Sequence, residues 1–289
     1  MIPLLISVLF AASYSHIVRH GQARTCSTVW VGAISYGVAC AASLAVWLFR
    51  PQAALGWQEW IFGFVGGAGW FVAYLLLNLS IRLAGVSIAQ CVGWLGVAFP
   101  VAAAAVLWRE IPNASQWAGL SLMVLALILL APGETSNVTN RSRWKVPALL
   151  GLFTAEGIVN VAMKAFAETA SEARTSGLLL VMFAVAGLGN LGLVARQGRP
   201  ARWSDVGHGA LLGIVAVAAN YALVVAIARL KAPVVFPAFW AGTLLLTSLG
   251  AMILWRERYK FRAIAGMILA LLTTIFVSVD VFTLLRGLK

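Results

Sequence analysis

The sequence predicts an all-α integral membrane protein with ten transmembrane helices in two inverted five-helix repeats. Hydrophobic residues make up 62% of the chain and charged residues only 10%, with a mean hydropathy of +0.93, which excludes an ordinary soluble domain. The chain also repeats itself, because Trp108-Arg109-Glu110 recurs as Trp255-Arg256-Glu257 after a shift of 147 residues. Its 289 residues accommodate about ten spans of ~20 residues with short connections.

Apolar runs separated by charged residues predict where the helices lie. The first run lacks a basic start and a cleavage site, so we expect it to be a helix of the mature protein and not a signal peptide. The polar stretch 132–145 is the predicted linker between a first repeat, 1–131, and a second repeat, 146–289. The ten predicted helices cover approximately residues 2–18, 28–49, 60–82, 87–107, 114–131, 146–167, 176–195, 206–228, 233–255 and 261–284.

The repeat has a consequence for orientation in the membrane. Because five is an odd number, the second repeat enters the bilayer in the opposite orientation to the first. Inverted repeats of this kind are typical of secondary transporters, whose substrate site lies between the halves near the bilayer midplane. The same shift places Tyr74 opposite Tyr221, so we expect these two side chains to face each other.

The net charge of +12 does not indicate nucleic-acid binding in this composition. Lys and Arg lie between apolar runs, where they face anionic lipid headgroups and fix orientation. The three cysteines, Cys26, Cys40 and Cys91, show no CxxC spacing, so neither a disulfide framework nor a metal site is expected. The sequence predicts no cofactor.

Residues at the end of each repeat resemble a known family. A Glu follows the fourth helix of each repeat, at Glu110 and Glu257, and a Gly lies early in each fifth helix, at Gly119 and Gly266. Over the whole chain this pattern resembles the EamA-type branch of the drug/metabolite transporter superfamily. The resemblance implies a multi-pass protein of the bacterial plasma membrane, a central cavity lined by helices 1, 3, 4, 6, 8 and 9, and structural roles for the two glutamates in local ion pairs with the neighbouring Arg.

The orientation of the termini has two opposed indications. The resemblance implies that both termini lie in the cytoplasm. Loops after odd-numbered helices, however, carry about twice as many Lys and Arg residues as the opposite loops, and the positive-inside rule then favours the reverse. Both orientations stay open at this point.

Glu156 is the most informative charged residue, because it lies well inside predicted helix 6. With Asn160 and Lys164 it forms an i, i+4, i+8 row on one helix face. A charge at the bilayer centre costs ~2.5–3.5 kcal/mol or more, so an acid there indicates function. The hypothesis is that Glu156 exchanges a proton for a cationic or zwitterionic substrate; the alternative is a buried acid that locks helix 6 to a neighbour. Lys164 is expected to snorkel to the interface.

Other polar and aromatic residues at membrane depth complete the predicted substrate cavity. Amides are costly to expose to lipid, aromatic rings form walls for organic molecules, and an embedded histidine can bond a substrate or relay protons. The candidates beside Glu156 and Asn160 are His16, Tyr74, Asn78, Trp94, Asn220, Tyr221 and Trp240.

These observations predict a secondary active transporter that moves a small organic metabolite or drug by alternating access. Its expected partners are that substrate, membrane lipids and protons. One alternative is a lipid or lipid-linked sugar flippase of the same fold, which would need a basic cavity open to the bilayer. An intramembrane enzyme is a third reading, and the sequence contains no HExxH, GxSxG or P-loop motif to support it. The direction of transport, import or export, stays open, and so does the choice between proton coupling and uniport. The sequence does not specify the oligomeric state.

Overall fold

The computed structural model describes residues 1–49, 54–84, 92–130, 143–254 and 261–278, and all regular structure in these ranges is helical. Residues 92–95 are also helical and precede α4, and a 3-10 helix at Glu172–Arg174 precedes α7. The helices are α1 (Ile2–Ala23), α2 (Thr28–Phe49), α3 (Trp57–Ala84), α4 (Ala98–Leu107), α5 (Ala114–Leu130), α6 (Lys145–Thr169), α7 (Thr175–Ala195), α8 (Trp203–Arg229), α9 (Ala232–Leu254) and α10 (Phe261–Ser278).

Seven of these helices, among the residues described, are long and apolar enough to cross a membrane: α1, α2, α3, α6, α7, α8 and α9. The described parts of α4, α5 and α10 contain shorter apolar stretches. The chain is therefore an all-helical, multi-pass integral membrane protein. The predicted count of ten spans in two inverted repeats remains a prediction.

Three of the five corresponding helix pairs begin at a nearly constant spacing along the chain. The first residues of α2 and α7 are 147 positions apart, and so are those of α5 and α10. The first residues of α3 and α8 are 146 positions apart. In the helix pair α3 and α8 the counterpart of Tyr74 is therefore Asn220, one position before the Tyr221 that the sequence shift selects.

The chain forms two compact units. Unit 1 comprises Met1–Phe71 and Ala162–Arg229, and unit 2 comprises Val72–Val161 and Leu230–Lys289. Helices α3 and α6 each contribute residues to both units, and each unit draws on both predicted repeats. The division into repeats 1–131 and 146–289 stays a prediction, and residues 132–142 of the predicted linker lie outside the described residues.

Unit 1 contains the same close helix crossing twice. A Cβ atom at Gly67 in α3 would lie 2.5 Å from the backbone carbonyl oxygen of Met182 in α7. A Cβ atom at Gly213 in α8 would lie 2.5 Å from the carbonyl oxygen of Ser35 in α2. Met182 lies 147 residues after Ser35, and Gly213 lies 146 after Gly67. Only glycine lets the helix backbones approach this closely.

A buried acid begins each of these two glycine-containing helices. Glu59, the third residue of α3, is 2% exposed, and its Oε2 accepts a hydrogen bond of 3.0 Å from the N–H of Gly56. The same carboxylate binds the guanidinium of Arg174, with 2.7 Å between Nη2 and Oε2. A carboxylate at this position neutralises the N-terminal N–H groups and the dipole of its helix.

Asp205 is the third residue of α8 and is fully buried. Its Oδ2 accepts a hydrogen bond of 3.0 Å from the N–H of Arg202, and its Oδ1 accepts one of 2.7 Å from the N–H of Ser27. Ser27 precedes α2, as Arg174 precedes α7. We call Glu59 and Asp205 the two acidic caps: each joins the start of its own helix to the start of the helix that it crosses.

In unit 2, α5 and α10 pack antiparallel. The Ser115 hydroxyl donates to the Phe276 carbonyl at 2.6 Å, and near the opposite ends the Arg262 guanidinium donates to the Ile128 carbonyl at 2.7 Å. These hydrogen bonds fix the register of the two helices.

Glu110 has a structural contact, as expected, but with a different partner. A local ion pair with Arg109 was the expectation, but the Glu110 carboxylate accepts a hydrogen bond of 2.6 Å from the N–H of Ala232, the first residue of α9. It therefore caps a helix of the other predicted repeat. Its sequence counterpart Glu257 lies outside the described residues.

Candidate functional site

Glu156 lies near the middle of α6, beside a break in the fourth apolar segment. The described helical residues 92–95 end before Gly96, and α4 begins at Ala98. A Cβ atom at Gly96 would lie 3.0 Å from the carbonyl oxygen of Phe153 and 3.1 Å from the Cβ of Glu156. The absence of a side chain at Gly96 thus lets this break contact α6 at Glu156.

The Glu156 carboxylate makes no hydrogen bond and no ion pair with another described residue. The hydrogen bond at this residue is to its backbone, because the Asn160 amide nitrogen donates to the Glu156 carbonyl at 2.8 Å. Asn160 is buried. An unpaired carboxylate inside a membrane span is energetically costly, so its environment must supply a proton, water or a cationic group.

Lys164, the third member of the predicted polar row, does not reach the interface as expected. It is 1% exposed, and its Nζ lies 2.5 Å from Glu168 Oε1, one turn further along α6. The ion pair lets α6 keep the ammonium inside the protein. Lys164 and Glu168 belong to unit 1, whereas Glu156 and Asn160 belong to unit 2.

Trp94 and Trp240 form an aromatic pair in unit 2. Their ring centroids are 5.9 Å apart, with 30° between the planes, and Phe239 contacts Trp240 edge-on at 5.0 Å. Trp94 lies between the two glycines, Gly93 and Gly96, that pack near Glu156. The structure therefore brings three of the predicted site residues, Trp94, Trp240 and Glu156, into one region of unit 2.

A row of polar atoms on α9 was missed by the sequence reasoning. The indole Nε1 of Trp240 and the hydroxyls of Thr243 and Thr247 are buried and have no hydrogen-bond partner among the described residues. Spacings of three and four residues put these side chains on one helix face. The signal in the sequence was the i, i+3, i+7 pattern of polar groups within an apolar helix.

Tyr74 and Asn78 also belong to unit 2. The Asn78 side-chain amide donates to the Tyr74 carbonyl at 2.8 Å, so α3 satisfies this amide locally. An amide bonded to its own helix backbone can lie at membrane depth at low cost. It is therefore weaker support for a substrate contact than the sequence suggested.

The remaining predicted site residues lie in unit 1. The Asn220 amide donates to the Ala216 carbonyl at 2.9 Å. The Nε2 of His16 is buried and has no hydrogen-bond partner among the described residues. Tyr221 lies on α8 beside Asn220. That His16, Asn220 and Tyr221 share a cavity with Glu156 stays a prediction.

A cavity of about 390 Å³ lies between α4 and α5, away from these residues. Its lining is almost wholly apolar, with Trp117 and Ser121 as its polar members, and it contains none of the predicted site residues. The cavity offers no charged group for recognition of a polar substrate.

Comparisons with known proteins agree with this architecture. The family model described as EamA-like transporter family matches residues 1–131. A solved structure titled "Crystal structure of protein" shares the fold with a TM-score of 0.79 at 18% sequence identity, covering 100% of this chain and 98% of that chain. Among curated proteins, none matches the sequence.

The family match covers the first predicted repeat, and the shared fold extends over the entire chain. The resemblance inferred from Glu110, Gly119 and their counterparts is confirmed. The first 131 residues are therefore similar to the EamA-like transporter family, and the whole chain shares the fold of a solved structure.

Proposed function

We propose that the chain is a secondary active transporter that moves a small organic metabolite or drug by alternating access, with Glu156 carrying the coupling proton. The observation that carries the proposal is the Glu156 carboxylate, which lies inside a membrane span without an ion pair or hydrogen bond to another described residue. In such a place a proton or a cationic substrate group must neutralise the acid. Competition between the two for one carboxylate is the simplest basis of exchange.

The surroundings of Glu156 support this role over a purely structural one. A structural acid would be expected to bond a neighbouring helix, as Glu59, Glu110 and Asp205 do. Glu156 instead lies against the glycine-rich break before α4 and near the Trp94–Trp240 pair. Aromatic faces can bind the apolar body or the ammonium group of an organic cation.

The proposal is tested with the purified full chain in proteoliposomes. A defined mixture of amino acids, amines, nucleosides and sugars is offered under an imposed pH gradient, and accumulated compounds are quantified by mass spectrometry. Glu156→Gln keeps the shape and hydrogen-bonding capacity of the side chain but cannot carry the proton. We expect it to abolish pH-driven accumulation while substrate exchange without a gradient persists in part.

Asp280→Asn is the matched control, since Asp280 is the only acid predicted in helix 10, outside the implied cavity, and lies beyond the described residues. This variant should accumulate substrate as the wild type does. Full accumulation by Glu156→Gln would make the carboxylate structural and the carrier a uniporter or an exchanger. Transfer of a fluorescent lipid across the same vesicles, with no transport of any compound in the mixture, would instead favour the flippase.

A further inference from the structure

We infer that Trp240, Thr243 and Thr247 on α9 form a row of hydrogen-bond donors that binds an oxygen acceptor of the substrate, so that the transporter selects amines that also carry a carboxylate or carbonyl group. This inference rests on the proposed function and extends it to the chemistry of the substrate. The three polar atoms are buried, lie on one helix face and lack a partner among the described residues. We call them the α9 donor row.

The threonines of the donor row differ from three other threonines that lie inside described helices. The Thr175 hydroxyl is also buried and without a partner, but Thr175 is the first residue of α7 and has no carbonyl of its own helix four positions earlier. The usual arrangement in a helix is a hydroxyl that donates to the carbonyl of the residue four positions earlier. Thr154, Thr169 and Thr273 follow it, at 2.8 to 2.9 Å. Thr243 and Thr247 do not, although the same carbonyl is available to each. Their hydroxyls are therefore available for a group outside α9.

Leaving such groups unpaired is costly. A buried polar group without a partner destabilises the folded protein, and no water is present in the bilayer core to compensate. The three atoms are enclosed by protein, so lipid is not their partner either. A bound ligand that supplies the hydrogen-bond acceptors would remove the cost of these unpaired donors.

The position of the row suggests what the ligand must carry. The Trp240 ring stacks at a tilt on Trp94, and the residues on either side of Trp94 pack near Glu156. Unit 2 thus combines a carboxylate, an aromatic pair and a donor row. An indole N–H donates only, and hydroxyls can donate, so the row suits an oxygen acceptor. The Glu156 carboxylate suits an ammonium group. A molecule that carries both an ammonium group and an oxygen acceptor would therefore be bound at two points.

The test measures binding to the purified full chain in detergent, without a pH gradient. The probes are amino acids and the amines that lack only the carboxylate: alanine and ethylamine, leucine and 3-methylbutylamine, phenylalanine and phenethylamine, and lysine and 1,5-diaminopentane. We expect at least one amino acid to bind about tenfold more tightly than its amine. Thr243→Val and Thr247→Val should each reduce this difference severalfold by weakening amino-acid binding alone.

Two further variants separate a donor role from a packing role. Trp240→Phe keeps an aromatic ring beside Trp94 but removes the N–H, and it should weaken amino-acid binding more than amine binding. Thr273→Val is the matched control, because Thr273 is equally buried but its hydroxyl already bonds Leu269. It should leave every affinity unchanged.

Three outcomes overturn the inference: equal losses for amino acid and amine, unchanged affinities in Thr243→Val and Thr247→Val, or no binding by any probe. These readouts are independent of proton coupling. If Glu156→Gln accumulates substrate normally while the threonine variants lose amino-acid selectivity, the proposed coupling is wrong and the donor row stands. If the reverse is found, the donor row is wrong and the coupling stands.

Discussion

Asp205 accepts a hydrogen bond from the backbone N–H of Ser27, a residue 178 positions earlier in the chain, at 2.7 Å. The bond joins the first turn of α8 to the residue that precedes α2. Glu59 makes the corresponding connection between α3 and α7 through the side chain of Arg174. Unit 1 therefore contains two acidic caps with equivalent places in the fold and different chemical partners.

Removing the Asp205 cap should destabilise the protein. Asp205→Ala leaves the N–H groups of Ser27 and Arg202 without an acceptor at two helix starts. We expect a loss of roughly 2 kcal/mol, seen as a lower thermal unfolding midpoint in detergent. Glu172→Ala is the control, because its ion pair with Arg229 is exposed to solvent and should contribute much less to stability. Equal effects of the two variants would contradict the cap assignment.

The Glu59 cap should show coupling between two side chains. In a double-mutant cycle with Glu59→Gln and Arg174→Gln, each single change leaves a polar group without its charged partner, whereas the double variant removes both charges. We expect an interaction free energy of about 1 kcal/mol or more in thermal unfolding experiments. If the stability losses of the two single variants add up to that of the double variant, the ion pair contributes nothing to the stability of the fold.

An added methyl group should destabilise the protein to a similar extent at each of the two glycine crossings. Alanine at Gly67 or at Gly213 would place its Cβ 2.5 Å from a backbone carbonyl oxygen, and backbone cannot move as a side-chain end can. We expect each variant to lose roughly 1–3 kcal/mol of stability, measured by thermal unfolding.

Gly37→Ala in α2 and Gly192→Ala in α7 are the controls for these crossings. An added Cβ at either position meets no atom within 4 Å, and alanine favours the helix. Both controls should fold at least as well as the wild type. A strong effect at only one of Gly67 and Gly213 would mean that the two crossings are not equivalent.

Gly96→Ala should impair transport more than folding. A Cβ at Gly96 would lie 2.9 Å from the Gly93 carbonyl oxygen and 3.1 Å from the Cβ of Glu156, so the break must move away from α6. We expect at least a tenfold fall in pH-driven uptake in proteoliposomes, with a near-normal elution profile of the purified protein. Gly93→Ala is the control, since its nearest new contact is an ordinary 3.7 Å to Leu152. Normal uptake by Gly96→Ala would argue against the contact between the break and Glu156.

Hydropathy was sufficient to place most described helices within a few residues, because a span must be apolar over a nearly fixed length. The same criterion missed the acidic caps, because it excludes charged residues from a span. Helices 3 and 8 were predicted to begin at 60 and 206, just after Glu59 and Asp205, since a charged residue ordinarily ends an apolar run. Their partners are far away in sequence, so no local pattern could show that these acids are buried.

The candidate site was only partly predictable. The repeat pointed to Trp94 and Trp240 as cavity candidates in corresponding helices, but it did not predict the contact between their rings. Thr243 and Thr247 were not predicted, because a threonine in an apolar helix is usually bonded to its own backbone. The expectation that Tyr74 faces Tyr221 used a shift of 147, whereas Gly67 and Gly213, at the two helix crossings, are 146 positions apart. That the two tyrosines face each other stays a prediction. A one-residue difference in a helix rotates a side chain by about 100°.

The two acidic caps also differ in how they constrain evolutionary change. The partner of Asp205 is a backbone N–H, which every residue except proline supplies at position 27. The partner of Glu59 is the Arg174 side chain, so a change at either residue removes the contact. Across homologous sequences, positions 59 and 174 should therefore covary, whereas the residue at position 27 should vary independently of the acid at position 205.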